Sequence, residues 1–123
     1  MFDCIPNISY QYQVPEVVIE AVIKNESMGK NVISKNNDGS KDYGVMQINS
    51  WWLPILQRHE INRKDLMNIC TNIAVGSWIL KYEFSHFKNW KDTLASYNAG
   101  RARYKKRFAR IYANKVLQTI KKS

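Results

Sequence analysis

The chain has 123 residues, of which 45% are hydrophobic and 12% aromatic, and its formal net charge is +9. That length suits one domain with a sizeable core, and that composition excludes a disordered chain. No apolar run approaches the roughly 18 unbroken residues of a membrane span, so the chain reads as soluble.

The charge is uneven. Residues 101–123 carry nine Lys or Arg and no acid, which favours an acidic partner: nucleic acid, an anionic membrane surface, or an anionic polymer such as bacterial cell wall. The plainer reading is a solvated basic helix face. Residues 1–5 (MFDCI) lack the basic start and apolar stretch of a secretory signal, so an exported protein of this sequence is expected as a mature form restarted with Met1. Cys4 and Cys70 have no CxxC or His-pair context that suits zinc. They read either as two buried thiols or as one bridge tying down the N-terminus, the latter implying an oxidising compartment.

In chain order, Pro6 to Gln13 is predicted as a short helix with Pro6 near its first position, where a missing N–H costs nothing. Pro15 opens the next helix in the same way. From Pro15 to Glu26, residues Glu16, Glu20 and Lys24 form one narrow polar stripe. Val17, Val18, Ile19, Ala21, Val22 and Ile23 fill the remaining circumference, so this helix is expected to be buried on most sides. At 100° per residue Glu26 falls between Ile19 and Val22, on the apolar side. It also lies in the last turn, where the helix dipole disfavours an anion.

Gly29 marks the helix stop. Val32 to Asn36 and Lys41 to Tyr43 read as strands around the turn Asn37-Asp38-Gly39-Ser40, the only convincing β signal. After Gly44, residues Val45 to Asn49 lead into a short helix over Ser50 to Arg58, with Ser50 as its cap. A long helix is predicted from Thr71 to Phe87, with Gly76 allowing close packing. Asn89 caps another from Trp90 to Tyr97, which Gly100 ends. The last helix, from Arg103 to Lys121, places Tyr104, Phe108, Tyr112, Val116 and Ile120 on one face.

Two carboxylates carry the chemical reading. Partial desolvation of Glu26 raises its pKa toward what a general acid at neutral pH requires. Asp42, on a strand leaving a tight turn, is placed to face it across a cleft. Two carboxyls flanking a glycosidic bond divide the work, one protonating the leaving oxygen and the other stabilising or trapping positive charge at the anomeric carbon. The alternative for Asp42 is a structural acid serving its own hairpin. Gln47 and Asn49, two apart on an extended segment, offer amides suited to the hydroxyl and acetamido groups of amino sugars. Trp51 and Trp52 are either core or platforms for sugar faces. Tyr97 and Asn98 present polar tips at a helix end. His59 and His86 have no partners at useful spacing and read as surface or core residues. No phosphate loop, Ser-His-Asp set or metal cluster is evident, so no cofactor or metal is expected.

The ordered set Glu26-Ser27, then Gly44-Val45-Met46-Gln47-Ile48-Asn49, then Ser96-Tyr97-Asn98-Ala99-Gly100 resembles the lytic transglycosylase domain of the lysozyme-like superfamily. It is most similar to the specialised members that accompany type III secretion. The similarity runs from Cys4 into the C-terminal helix. It implies an α+β, mainly α, lysozyme-like fold for a single domain over residues 1–123, with a small β-hairpin beside the cleft. It also implies cleavage of the bond between N-acetylmuramic acid and N-acetylglucosamine in peptidoglycan. Glu26 is then acid and later base, with Ser27, Gln47, Asn49, Tyr97 and Asn98 lining the site. Attack by the substrate's own 6-hydroxyl, a 1,6-anhydro product, a Cys4–Cys70 disulfide and periplasmic export follow from the same resemblance.

One stretch departs from that pattern. Asn37-Asp38-Gly39-Ser40-Lys41-Asp42-Tyr43-Gly44 is similar instead to the hairpin of animal c-type lysozymes, which carries their second carboxylate at the position of Asp42. Lysozyme is the type case for two-carboxylate chemistry, so lysozyme-type hydrolysis assisted by Asp42 stands as an alternative. A second alternative is a non-catalytic module whose basic C-terminal face holds cell wall or a secretion component. Peptidoglycan strands and a secretion-system component are the expected partners of a monomer. Nucleic acid is not expected, because no recognition motif accompanies the charge.

Overall fold

The computed structural model describes residues 2–123. Helix α1 spans Ile5–Tyr12 with Pro6 in its first turn, and α2 spans Glu16–Glu26, with Pro15 just outside as the cap residue. Val18, Ile19, Ala21, Val22 and Ile23 of α2 are buried as its pattern predicts, but Val17 is 42% exposed. The chain leaves α2 through Met28 and Gly29, both with positive φ.

Three short antiparallel strands follow in the order β1 (Ile33–Lys35), β2 (Lys41–Tyr43) and β3 (Ile48–Asn49). In register, Asp42 lies opposite Ser34 on one side and Asn49 on the other. The third strand was not expected. It is two residues long, too short for a period-two pattern to show. The next element is a 3-10 turn over Ser50–Trp52, with α3 over Leu53–Gln57. Its cap is Asn49, whose side chain accepts from the Trp51 N–H, not Ser50 as its type suggests. The Ser50 hydroxyl instead accepts from the Lys41 N–H on β2.

Helix α4 spans Ile69–Phe87, capped by Asn68, and α5 spans Trp90–Ala99, capped by Asn89 and closed by Gly100. Helix α6 covers Arg107–Lys121, starting four residues later than its periodicity suggests. Its buried face is Ala109, Ala113 and Val116, whereas Phe108, on the predicted apolar face, is 54% exposed. Small residues face inward here because α6 packs against both α2 and α5, leaving little room between backbones. Helix α4 packs against α1 and α5. No helix among the described residues is long and apolar enough to cross a membrane.

Two devices fix the segment between the sheet and α4. Buried Asn72 on α4 accepts from the Met46 N–H at 2.8 Å and donates to the carbonyls of Tyr43 at 2.7 Å and Leu66 at 2.9 Å. Gly44, at φ +76°, lies so close to the Asn72 amide that no side chain fits there. At Gly76, a Cβ would come within 2.5 Å of the Met46 sulfur, so glycine lets Met46 lie against α4. A disulfide joins Cys4, just before α1, to Cys70 in the first turn of α4, with Cα atoms 6.0 Å apart.

Replacing Asn72 by Ala is expected to cost about 3 kcal/mol, because it leaves one N–H and two carbonyls without partners inside the core. Chemical denaturation checks this. Replacing Cys4 and Cys70 by Ser is expected to cost about 4 kcal/mol by releasing a long closed loop; the same measurement reads it, with a native circular dichroism spectrum retained.

Candidate active site

The three motifs singled out in the sequence meet at one short piece of backbone. The Ser27 hydroxyl, just past α2, donates to the Val45 carbonyl at 2.7 Å. The Tyr97 hydroxyl, on α5, donates to the adjacent Met46 carbonyl at 2.7 Å. Asn72 holds the Met46 N–H from behind. Thus the ends of α2 and α5 are pinned to the turn that joins β2 to β3, and Glu26 is the last residue of α2.

Glu26 is largely removed from water, and its pKa rises from 4.5 to about 7. Burial is the main cause, since it penalises the charged form, and the nearby negative charge of Asp42 adds to it. A hydrogen bond from the Tyr112 hydroxyl to Oε2, at 2.8 Å, works the other way by favouring the anion. That bond engages Oε2 and leaves Oε1 for a proton. Tyr112 itself is held well above the ordinary tyrosine range, first by burial and then by the Glu26 charge. It therefore stays a neutral donor. Tyr97 is shifted upward too, by burial and then by the charges of Glu26 and Asp42. The two acids and two phenols sense one another in one cluster.

Asp42 is held differently. Its Oδ1 accepts from the Asn49 amide at 2.9 Å and its Oδ2 from the Asn36 amide at 3.1 Å. Two donors on opposite oxygens fix the plane of the carboxylate. Asn49 reaches it because β3 lies directly opposite in register. Both acids are half-buried; Glu26 receives a single phenol hydrogen bond and Asp42 receives two amides.

The remaining predicted residues divide. Gln47 does not lie extended beside Asn49; its backbone is left-handed, at φ 53°. Its amide nitrogen donates to the carbonyls of Val32 at 3.2 Å and Gly44 at 3.0 Å, which holds the turn and leaves only the amide oxygen uncommitted to it. Asn49 spends its side chain on Ser40, Asp42 and the Trp51 N–H, so it supports Asp42. Asn98 is exposed on α5, and among the described residues no hydrogen bond ties its side chain to the cluster. Trp51 is 68% exposed and Trp52 half-buried, while His59 and His86 are both exposed.

Tyr112 is the site residue that sequence reasoning missed. It was read only as part of an apolar face. Its contact with Glu26 spans 86 positions, and only the packing of α6 on α2 brings the two together. A phenol on an otherwise apolar helix face was the one available hint.

The chain superimposes with a TM-score of 0.77 on an inactive glutamate-to-glutamine mutant of the lytic transglycosylase Slt from Pseudomonas aeruginosa. They share 18% identity, and the match covers 94% of this chain and 22% of that one. The fold is therefore the lysozyme-like fold of the lytic transglycosylases. The chain belongs to the transglycosylase SLT domain family, whose pattern matches residues 3–119. It is 39% identical over 102 residues to a peptidoglycan-binding-like protein of Escherichia coli O157:H7, covering 80% of this chain and 61% of that protein. It is 29% identical over 122 residues to the invasion protein IagB of Salmonella typhimurium, covering 98% of this chain and 76% of IagB. Protein IpgF of Shigella flexneri is 28% identical over 117 residues, covering 93% of this chain and 76% of IpgF.

Because Glu26 binds its proton more tightly folded than unfolded, its contribution to stability is fully present below the unfolded value of 4.5 and is lost as pH rises to about 7. Over that window the loss is expected to be about 3 kcal/mol, and Glu26→Gln removes it. Carbon-13 NMR of the Glu26 carboxyl should give a midpoint near 7. In Tyr112→Phe that midpoint should move higher, since the bond that favours the anion is gone.

Proposed function

We propose that this protein cleaves the β-1,4 bond between N-acetylmuramic acid and N-acetylglucosamine in peptidoglycan, with Glu26 as general acid and then base. The observation that carries this reading is the state of Glu26. Its pKa near 7 keeps a substantial fraction protonated at neutral pH, while its proton remains acidic enough to transfer to the leaving oxygen. The similarity to the family of transglycosylase domains supports the same reaction.

As the bond to the leaving sugar breaks, positive charge builds at the anomeric carbon. The carboxylate of Asp42, held by Asn36 and Asn49, favours that charge electrostatically. Glu26, having given up its proton, becomes the base that withdraws one from the attacking hydroxyl. We assign that hydroxyl to the substrate's own C6 position, giving a 1,6-anhydro end. A hydrolytic finish assisted by Asp42 is the second reading, favoured by the fixed placement of this second acid beside Glu26. Ser27, Gln47, Tyr97 and Asn98 are assigned to the walls of the glycan site, with Ser27, Gln47 and Tyr97 also holding its backbone. The likeness to IagB, an invasion protein, supports a role in opening the wall locally for a secretion system, with the protein working in the periplasm. Its basic C-terminal region then faces the anionic wall or a secretion component.

Glu26→Gln is expected to abolish clearing of purified sacculi while the fold is kept, and retained clearing would sink the assignment. Asp42→Asn should lower the rate by about ten- to a hundredfold; an unchanged rate makes it a hairpin residue only. Binding to sacculi without clearing by the unaltered protein favours a non-catalytic module. Mass spectrometry of the released fragments separates the two finishes, because anhydro and hydrated ends differ by one water.

A further inference from the structure

The end of α5 is held by a carboxylate that the Glu26 cluster does not use. Glu83 of α4 is buried, at 4% exposure, yet several donors converge on it. The Ser96 hydroxyl donates to Oε1 at 2.6 Å. Arg101 donates from Nε to Oε1 at 3.1 Å and from Nη2 to Oε2 at 2.9 Å. The same guanidinium lies over the ring of Tyr82, 5.1 Å from its centroid. Ser96 and Arg101 stand on either side of Tyr97–Gly100, so one side chain of α4 grips both ends of that turn.

Glu83 follows Asn72 by eleven residues on α4. At about 3.6 residues per turn this returns it to the same face of the helix, which also carries Gly76. All three serve the junction between Met46 and Tyr97. Asn72 accepts from the Met46 N–H, and Gly76 lets the Met46 side chain lie against the helix. Glu83 holds the turn whose Tyr97 hydroxyl donates to the Met46 carbonyl. Helix α4 thereby sets both partners of the Tyr97–Met46 hydrogen bond. The Arg101 side chain is 40% exposed, and a pair of this kind adds little net stability, because desolvation offsets attraction. What a guanidinium fork on a carboxylate does supply is one geometry.

We propose that Glu83 and Arg101 are positioning residues, whose latch holds Tyr97 against the β2–β3 turn and so keeps the wall of the Glu26 cluster closed to water. The inference rests on the reading of Glu26 as the acid and deepens it. Tyr97 faces Glu26 from α5, Tyr112 faces it from α6 and Asp42 from β2. Tyr112 is held by Glu26 itself and Asp42 by two amides, whereas Tyr97 depends on the turn that Glu83 grips. A Tyr97 free to swing away lets water reach Glu26, which removes the burial that raises its proton affinity. It also shifts the backbone of the site, and misplacements of about 1 Å are enough to slow a reaction severely.

Arg101→Ala opens the latch from its exposed side, and circular dichroism with thermal unfolding checks that the fold is kept. The Glu26 carboxyl midpoint, read by carbon-13 NMR, should fall from near 7 toward 4.5. Clearing of sacculi at neutral pH should slow about tenfold, while the sacculus concentration giving half the maximal rate stays the same. Tyr97→Phe, which removes the hydrogen bond that the latch serves, should reproduce both changes. Adding Arg101→Ala to it should change neither further. Glu83→Gln keeps an acceptor for Ser96 but loses the charge pairing, and should show the same pattern to a smaller extent. A lower melting temperature with midpoint and clearing unchanged makes the latch a stability element only and overturns the proposal, as do losses that add in the double variant. Failure of the acid reading looks different: Glu26→Gln would still clear sacculi, and the titration of Glu26 would still report on the latch.

Discussion

The side-chain amide of Asn72 is the constraint on which the rest of the site depends. It is fully buried and answers one N–H and two carbonyls at the place where β2 turns into β3. Buried backbone groups without partners are costly, so the turn adopts the one path that Asn72 satisfies. Gly44 is required by that path, because the amide occupies the space a side chain would need. With the turn so held, the carbonyls of Val45 and Met46 receive Ser27, just past α2, and Tyr97 from α5. Three elements distant in sequence are thereby brought to one point.

What this convergence achieves is an acid kept out of water at the end of a helix. A carboxyl whose charged form is penalised by burial costs stability at neutral pH. Tyr112 lowers the cost with one hydrogen bond, but not enough to return the pKa to its ordinary range. Asp42 sits near enough to raise it further and is itself supported by two amides. The two carboxyls differ in their hydrogen-bond partners, a phenol for Glu26 and two amides for Asp42.

Much of this was legible in the chain. The polar stripe of Glu16, Glu20 and Lys24 located the buried faces of α2, and the helix wheel put Glu26 on the apolar side. Asn89 and Gly100 bounded α5 because their roles are local: a side chain capping N–H groups three residues on, and a backbone with positive φ. The misses have a common cause. Asn49 displaced Ser50 as a cap because the neighbouring strand had already engaged the serine. Phe108 faces solvent because α6 meets two helices at once and needs small residues there. Gln47 turns left-handed because its side chain bonds back to Gly44 and Val32. In each case a contact from elsewhere in the chain outweighed local preference.

The sequence by itself determined the helical framework, the hairpin that carries Asp42 and the apolar setting of Glu26, since periodicity, turn chemistry and side-chain type act over a few residues. Its ordered motifs also pointed to the family. Only the tertiary structure decided that Tyr112 donates to Glu26, that Asn36 and Asn49 hold Asp42, and that Glu83 sets Arg101 over Tyr82. These contacts join side chains across the sheet or between helices, where distance depends on how whole elements pack. The identity of the acid was local information; its proton affinity was not, because burial is a property of the assembled fold.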